Sequence, residues 1–152
     1  MKKFSDFILW LLISALVAWF GAQFNTGQWY TTISKPTWTP PGWLFGPVWT
    51  MLYIMMATAA FLVWRATQRT FKNKTIQLYL IKMLFNASWS WVFFGLHQIG
   101  WAVANIVILL ILIIIVSMKF YRINKTAGYL MLPYLLWVSF ATILNFNIWL
   151  LN

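Results

Sequence analysis

The 152-residue chain has no cysteine, one histidine and one acidic residue, Asp6. Without cysteine it can build no disulfide framework, no thiolate metal site and no cysteine nucleophile. One carboxylate and one imidazole leave general acid–base catalysis almost no titratable groups to use. The apolar stretches carry no buried ion pair of the kind that couples transport to protons or ions, and Lys82, near one end of such a stretch, stands by itself. A Gly-rich phosphate loop and a cluster of metal ligands are missing too. Conventional hydrolases, kinases and ion-coupled transporters are disfavoured, and no cofactor or metal is required by what remains.

The chain is rich in apolar and aromatic side chains: 62% of its residues are hydrophobic, among them 12 Trp, 13 Phe and 6 Tyr. Such content exceeds that of soluble domains and places the chain in a lipid bilayer. A helix needs about 20 apolar residues to cross the hydrocarbon. Five windows meet that length, at about 7–24, 43–64, 76–96, 99–118 and 128–150. The expectation is an all-α membrane protein, a single domain over residues 1–152 folded as a bundle of five transmembrane helices. Met1-Lys2-Lys3 followed by an apolar run resembles a signal peptide, but no small-x-small cleavage site follows, and the first window is read as a retained helix.

The net charge of +10 would suit a nucleic-acid partner. Its distribution argues against one. Lys2 and Lys3 precede the first window, Arg65, Arg69, Lys72 and Lys74 fill the second loop with Lys82 just inside the third window, and Lys119, Arg122 and Lys125 fill the fourth loop. Only Lys35 falls on the other side. This positive-inside bias predicts a cytoplasmic N-terminus, an outside C-terminus and a bacterial cytoplasmic membrane. Binding of anionic lipid headgroups is compatible with the same residues.

The one long loop, 25–41, contains Gly27, Pro36, Pro40 and Pro41, which oppose continuous helix, and it reads as a lid on the outer face. Thr39 is the expected N-cap of the second helix, with Pro40 or Pro41 in its first turn. Pro47 and Pro133 are expected to perturb the second and fifth helices. In the first helix Ser14, Ala18 and Ala22 form a small-residue stripe suited to close packing inside the bundle.

Polar groups in hydrocarbon need partners, so the helical faces that carry them are informative. Trp49, Tyr53 and Met56 share a face of the second helix, and Asn86, Trp89, Ser90 and Phe93 a face of the third. Trp101, Asn105 and Ile108 do so in the fourth, and Trp137, Ala141, Asn145 and Ile148 in the fifth. Converging, these faces would enclose a cavity lined by indoles and a few amides. A large, flat, mostly apolar ligand such as a porphyrin or a sterol fits that lining. The alternative is interfacial aromatic belts and interhelical amide bonds; for Trp10, Trp19, Trp64 and Trp149, near helix ends, the belt is favoured. His97 offers one axial haem ligand without a second. Asp6 reads as a solvated or helix-start charge.

Several segments resemble the TspO/MBR family, the tryptophan-rich sensory proteins and mitochondrial translocator proteins, the latter also called peripheral benzodiazepine receptors. They are Trp29-Tyr30, Lys35-Pro-Thr-Trp-Thr-Pro-Pro41, Phe45-Gly-Pro-Val-Trp49 with Leu52-Tyr53, Asn86-Ala-Ser-Trp-Ser-Trp-Val-Phe-Phe-Gly95, Gln98-Ile-Gly-Trp-Ala102, and Pro133-Tyr-Leu-Leu-Trp137 through Phe140-Ala141 to Asn145. They run in the family's order along nearly the whole chain. The resemblance implies five membrane helices, a homodimer, and a pocket toward the first loop that binds protoporphyrin IX or other tetrapyrroles, sterols and synthetic benzodiazepine- or isoquinoline-type ligands. Carried over, the pocket residues are Tyr30, Pro40, Trp49, Tyr53, Asn86, Trp89, Trp101, Trp137, Ala141 and Asn145. The family also implies two alternatives to sensing, regulation or removal of tetrapyrroles by capture. These are light- and oxygen-dependent protoporphyrin breakdown, with Trp49 and Trp137 as the oxidisable residues, and transport. Three departures stand out: Asn105 where the family often has an acid, no clear small-xxx-small pair among Ala87, Ser88 and Ser90, and no Tyr, Lys or Arg in 141–152 for a cholesterol motif.

Overall fold

A computed structural model describes residues 2–24 and 27–152, with side chains for all of these except residues 2 and 3. The charges of Lys2 and Lys3 and the first lid residue, Asn25, therefore lie outside what is described. Every regular element among the described residues is helical. The elements are α1 (Lys2–Ala22), α2 (Gln28–Thr32), α3 (Gly42–Ala66), α4 (Lys74–Ser90) with a π-helical turn (Trp91–Gly95), α5 (Ile99–Ile123) and α6 (Lys125–Leu151).

Four of these helices, α1, α3, α5 and α6, are long and apolar enough to cross a membrane. The third window of the sequence departs from expectation: α4 spans only 17 residues before the backbone widens into the π turn. Within that turn the Leu96 amide reaches the Trp91 carbonyl at 2.9 Å and the Gln98 amide reaches Val92 at 3.0 Å. A widened turn of this kind re-aims the side chains that follow it and is often found at functional sites. The lid is likewise not all loop, since α2 forms inside it. The last two helices are longer than their windows because Asn124 serves both. Its amide donates to Phe120 at 2.7 Å to end α5, and its Oδ1 accepts from Ala127 at 3.0 Å to start α6. Asn73 caps α4 in the same way, accepting from the Thr75 and Ile76 amides.

Thr39 is not the cap of α3. Its hydroxyl donates to the Pro36 carbonyl at 2.7 Å and closes a turn within the lid, while Pro41 holds the capping position without a side-chain bond and Gly42 is the first helical residue. Both α3 and α6 continue through Pro47 and Pro133. Only the Ser14 end of the small-residue stripe is buried; Ala22 is exposed.

Two tryptophans expected in a belt are instead in the core. Trp10 is fully buried, and its ring stands edge-on to Trp64 and to Tyr79, each at 5.6 Å. Trp64 in turn packs on Phe71 at 4.6 Å, and Tyr79 stacks on Phe120 at 5.5 Å. Trp19 and Trp149 stay exposed, as a belt requires. Asp6 is also not simply solvated, since it pairs with Arg69 at 3.2 Å. That pair joins the beginning of α1 to the basic turn between α3 and α4. At the opposite end, the lid is tied to the last residue of the chain: the Ser34 amide donates to Asn152 Oδ1 at 3.0 Å and Asn152 Nδ2 returns a bond to the Ser34 carbonyl at 2.9 Å. Lys82 does not lie with the basic end but is buried within α4.

Candidate functional site

The lid is built around Tyr30. Lys35 donates from Nζ to the Tyr30 and Ile33 carbonyls at 2.5 and 3.0 Å while its ammonium lies 4.7 Å from the Tyr30 ring centre. The ring itself meets Phe93 at 6.3 Å and Phe94 at 5.6 Å. Two successive residues of an α-helix would face different ways; the π turn lets both reach the same lid residue. Burial pushes the Tyr30 phenol above its ordinary value, so the ring is a neutral wall at physiological pH. Further along, Trp38 stands edge-on to Phe140 of α6 at 5.7 Å, and Pro40 is half-buried between it and α3.

Beneath the lid, α3, α4 and α6 present the expected faces to one another. Asn86 is the hub. Its Nδ2 donates to the Tyr53 hydroxyl at 2.8 Å, and the Tyr134 hydroxyl donates to its Oδ1 at 3.2 Å, so one amide joins three helices. A side chain only 5% exposed is thereby satisfied at both ends. Trp49 lies 5.7 Å from Tyr53 and 6.3 Å from Tyr134. One turn toward the lid, the Trp89 indole donates to Asn145 Oδ1 at 2.8 Å, and Trp89 stacks on Phe93 at 5.2 Å. Trp137 stands edge-on to Phe45 at 5.8 Å and near Phe140 at 5.7 Å, with Ala141 half-buried on the same face. Two buried donors on α6, the Trp137 indole N–H and the Asn145 amide, have no hydrogen-bond partner.

The fourth face does not join them. Trp101 is 72% exposed, and α5 turns Ala102, Ile106 and Leu109 into the core instead. Trp101 and Asn105 line an outward groove of about 350 Å³ with Phe85, Val92 and Leu96 of the α4 side. Asn105 is anchored there by donating to Ser88 at 2.7 Å. The converging faces also fill the space between them with their own rings. A second outward groove, of about 400 Å³, runs between α3 and α6, lined by Val48, Met51, Leu52, Pro133, Leu136, Trp137 and Phe140. Tyr134 completes the amide network and was not singled out by the sequence. Its place in the motif Pro133-Tyr-Leu-Leu-Trp137, three residues before Trp137, was the available signal. His97 sits at positive φ with its ring stacked 4.2 Å from Trp29, and no cluster of metal-binding side chains exists among the described residues.

Fold and composition together define an integral, multi-pass membrane protein. The chain belongs to the TspO/MBR family, whose profile matches residues 7–150. It is 44% identical over 124 residues to the tryptophan-rich protein TspO of Chlorobaculum tepidum, covering 81% of this chain and 78% of that one. To the tryptophan-rich sensory protein of Cereibacter sphaeroides it is 34% identical over 149 residues, covering 94% and 92%. Against the translocator protein of Bos taurus the identity is 31% over 143 residues, covering 91% and 85%.

Proposed function

We propose that this chain captures porphyrin-like tetrapyrroles at the surface shared by α3, α4 and α6 and acts in their sensing, regulation or removal. Sterols and benzodiazepine- or isoquinoline-type compounds are further ligands of the same surface. The observation that carries the reading is the pair of unpartnered donors on α6, Trp137 Nε1 and Asn145 Nδ2, among aromatic rings and beside the satisfied Tyr53–Asn86–Tyr134 set. Buried donors without acceptors are costly, and a flat apolar ligand with acceptors at its edge would satisfy them while stacking on the indoles. The α3–α6 groove, at about 400 Å³, falls within the usual range of small-molecule sites and is lined by Trp137 and by Phe140, the ring that meets Trp38 of the lid. In this reading α4 and its π extension form the fifth span, the basic turns face the cytoplasm, and two copies associate as in the family.

A second reading, light-driven breakdown of the bound pigment, is favoured by the run of oxidisable rings Trp49, Tyr53 and Tyr134, with Trp137 one turn beyond Tyr134 on α6. One experiment addresses both. Titrating the detergent-solubilised protein with protoporphyrin IX in the dark is expected to give a saturable shift of the Soret band. Absence of saturation contradicts ligand capture. Illuminating the saturated complex in air then separates a receptor, which returns the porphyrin intact, from an enzyme, which yields a bilin-like product.

A further inference from the structure

Among the described residues, Lys82 is the one basic side chain buried inside the bundle, 0% exposed, on the α4 face that also carries Asn86 and Trp89. Its Nζ lies 3.2 Å from Met56 Sδ and 3.1 Å from Met83 Sδ, and 4.3 and 4.8 Å from the ring centres of Tyr79 and Tyr134. Thioethers are weak acceptors, and ring faces attract a cation without accepting a full hydrogen bond. No carboxylate of the chain can serve as counter-ion, because the single acid, Asp6, is held by Arg69 at 3.2 Å. A lysine in this position is expensive to hold charged in a bilayer, which makes it a candidate functional group.

Its surroundings say which function. Lys82 lies one turn before Asn86, about 6 Å along the axis at 1.5 Å per residue. Met56 extends the Trp49–Tyr53 face of α3 by one turn, and Tyr134 spans the two levels, with its hydroxyl on Asn86 and its ring beside the Lys82 ammonium. Each face that builds the candidate site thus ends at Lys82. The long flexible stem lets the ammonium rise along Tyr134 toward the amide network, exchanging two sulfurs for a stronger acceptor. We propose that Lys82 is the anchoring cation for a carboxylate side chain of the tetrapyrrole, met at the level of Asn86. The inference rests on the function proposed above and adds the recognition of an acid.

The test compares protoporphyrin IX, a dicarboxylic acid, with its neutral dimethyl ester, each titrated in the dark in uncharged detergent against the parent and Lys82→Met. Charge-assisted bonds outweigh neutral ones, so the parent is expected to prefer the diacid by about tenfold or more. In Lys82→Met the preference is expected to fall to about twofold or less, with ester affinity held, which doubles as proof that the variant is folded. Lys82→Gln gives the same comparison with a polar replacement, and Lys82→Arg is expected to keep the preference. An undiminished preference for the diacid in Lys82→Met and Lys82→Gln overturns the inference while leaving the site intact. Failure of the parent to bind either compound overturns the underlying reading, and the inference falls with it.

Discussion

Replacing Asn86 with leucine is expected to abolish measurable tetrapyrrole binding while leaving a folded but weakened protein. Leucine has the same branched skeleton as asparagine and is somewhat bulkier, so the substitution strands hydroxyls rather than opening a cavity. Tyr53 loses the amide at 2.8 Å and Tyr134 its acceptor at 3.2 Å. Interhelical hydrogen bonds in membrane proteins contribute about 0.6–2 kcal/mol each, so the two together cost roughly 1–4 kcal/mol. A family protein with long packed helices is expected to survive that loss as a lower unfolding temperature in detergent. The effect on the ligand is larger, because Asn86 fixes where Tyr53, Tyr134 and through it the ring of Trp49 stand. Misplacing three walls of a site at once is expected to weaken binding by at least about a hundredfold, since rings set for stacking lose both contact and orientation. Wild-type affinity in a folded Asn86→Leu protein would show that the amide network supports only the bundle.

Trp10→Ala is expected to be the most destabilising single change in the first helix. Its ring is fully buried among Trp64, Phe71 and Tyr79, at 5.6, 6.3 and 5.6 Å. Removing such a side chain from a packed interior costs about 3–5 kcal/mol in soluble proteins. In a bilayer the transfer part shrinks, because lipid is as apolar as the core, but the lost dispersion contacts around the void remain. The lower end of that range is therefore expected. Trp19→Ala is the matched control, since Trp19 is 63% exposed on the same helix. Thermal unfolding of both variants in one detergent decides the matter: equal stability would mean that Trp10, like Trp19, only faces lipid.

Much of this architecture was legible because apolar length and basic turns are written directly in the chain. The windows near 43–64 and 99–118 lie within α3 and α5, and the turn holding Arg69 falls between helices, whereas Lys119 and Arg122, expected in a loop, lie in the last turns of α5 and Lys125 opens α6. The faces Trp49–Tyr53, Asn86–Trp89 and Trp137–Asn145 also meet as their spacing predicts. Spacing states which residues share a face and not which way the face points. In a helix that is apolar all round, no polar side marks the outside. The Trp101 face could not be told from an inward one for that reason, and neither could the burial of Trp10 and Trp64. The π turn has no signature in the sequence, because it is a change of hydrogen-bond partner within an unbroken helical run, with no residue type that signals it. By sequence Lys82 groups with the basic end, because charge within a hydropathy window carries no information about depth, whereas its ring and sulfur neighbours come from α3, α4 and α6.

The central claim is one of place: the ligand lies beneath the lid against Trp137, within reach of Asn86 and Asn145. A crystal structure of the protein saturated with protoporphyrin IX measures that directly. The account predicts the macrocycle stacked on the Trp137 indole, with Trp38 and Phe140 at its lid-side edge and a polar group bonded to Trp137 Nε1 or Asn145 Nδ2. A macrocycle in the outward groove beside Trp101, or one held only at the surface with Trp137 and Asn145 untouched, would contradict it.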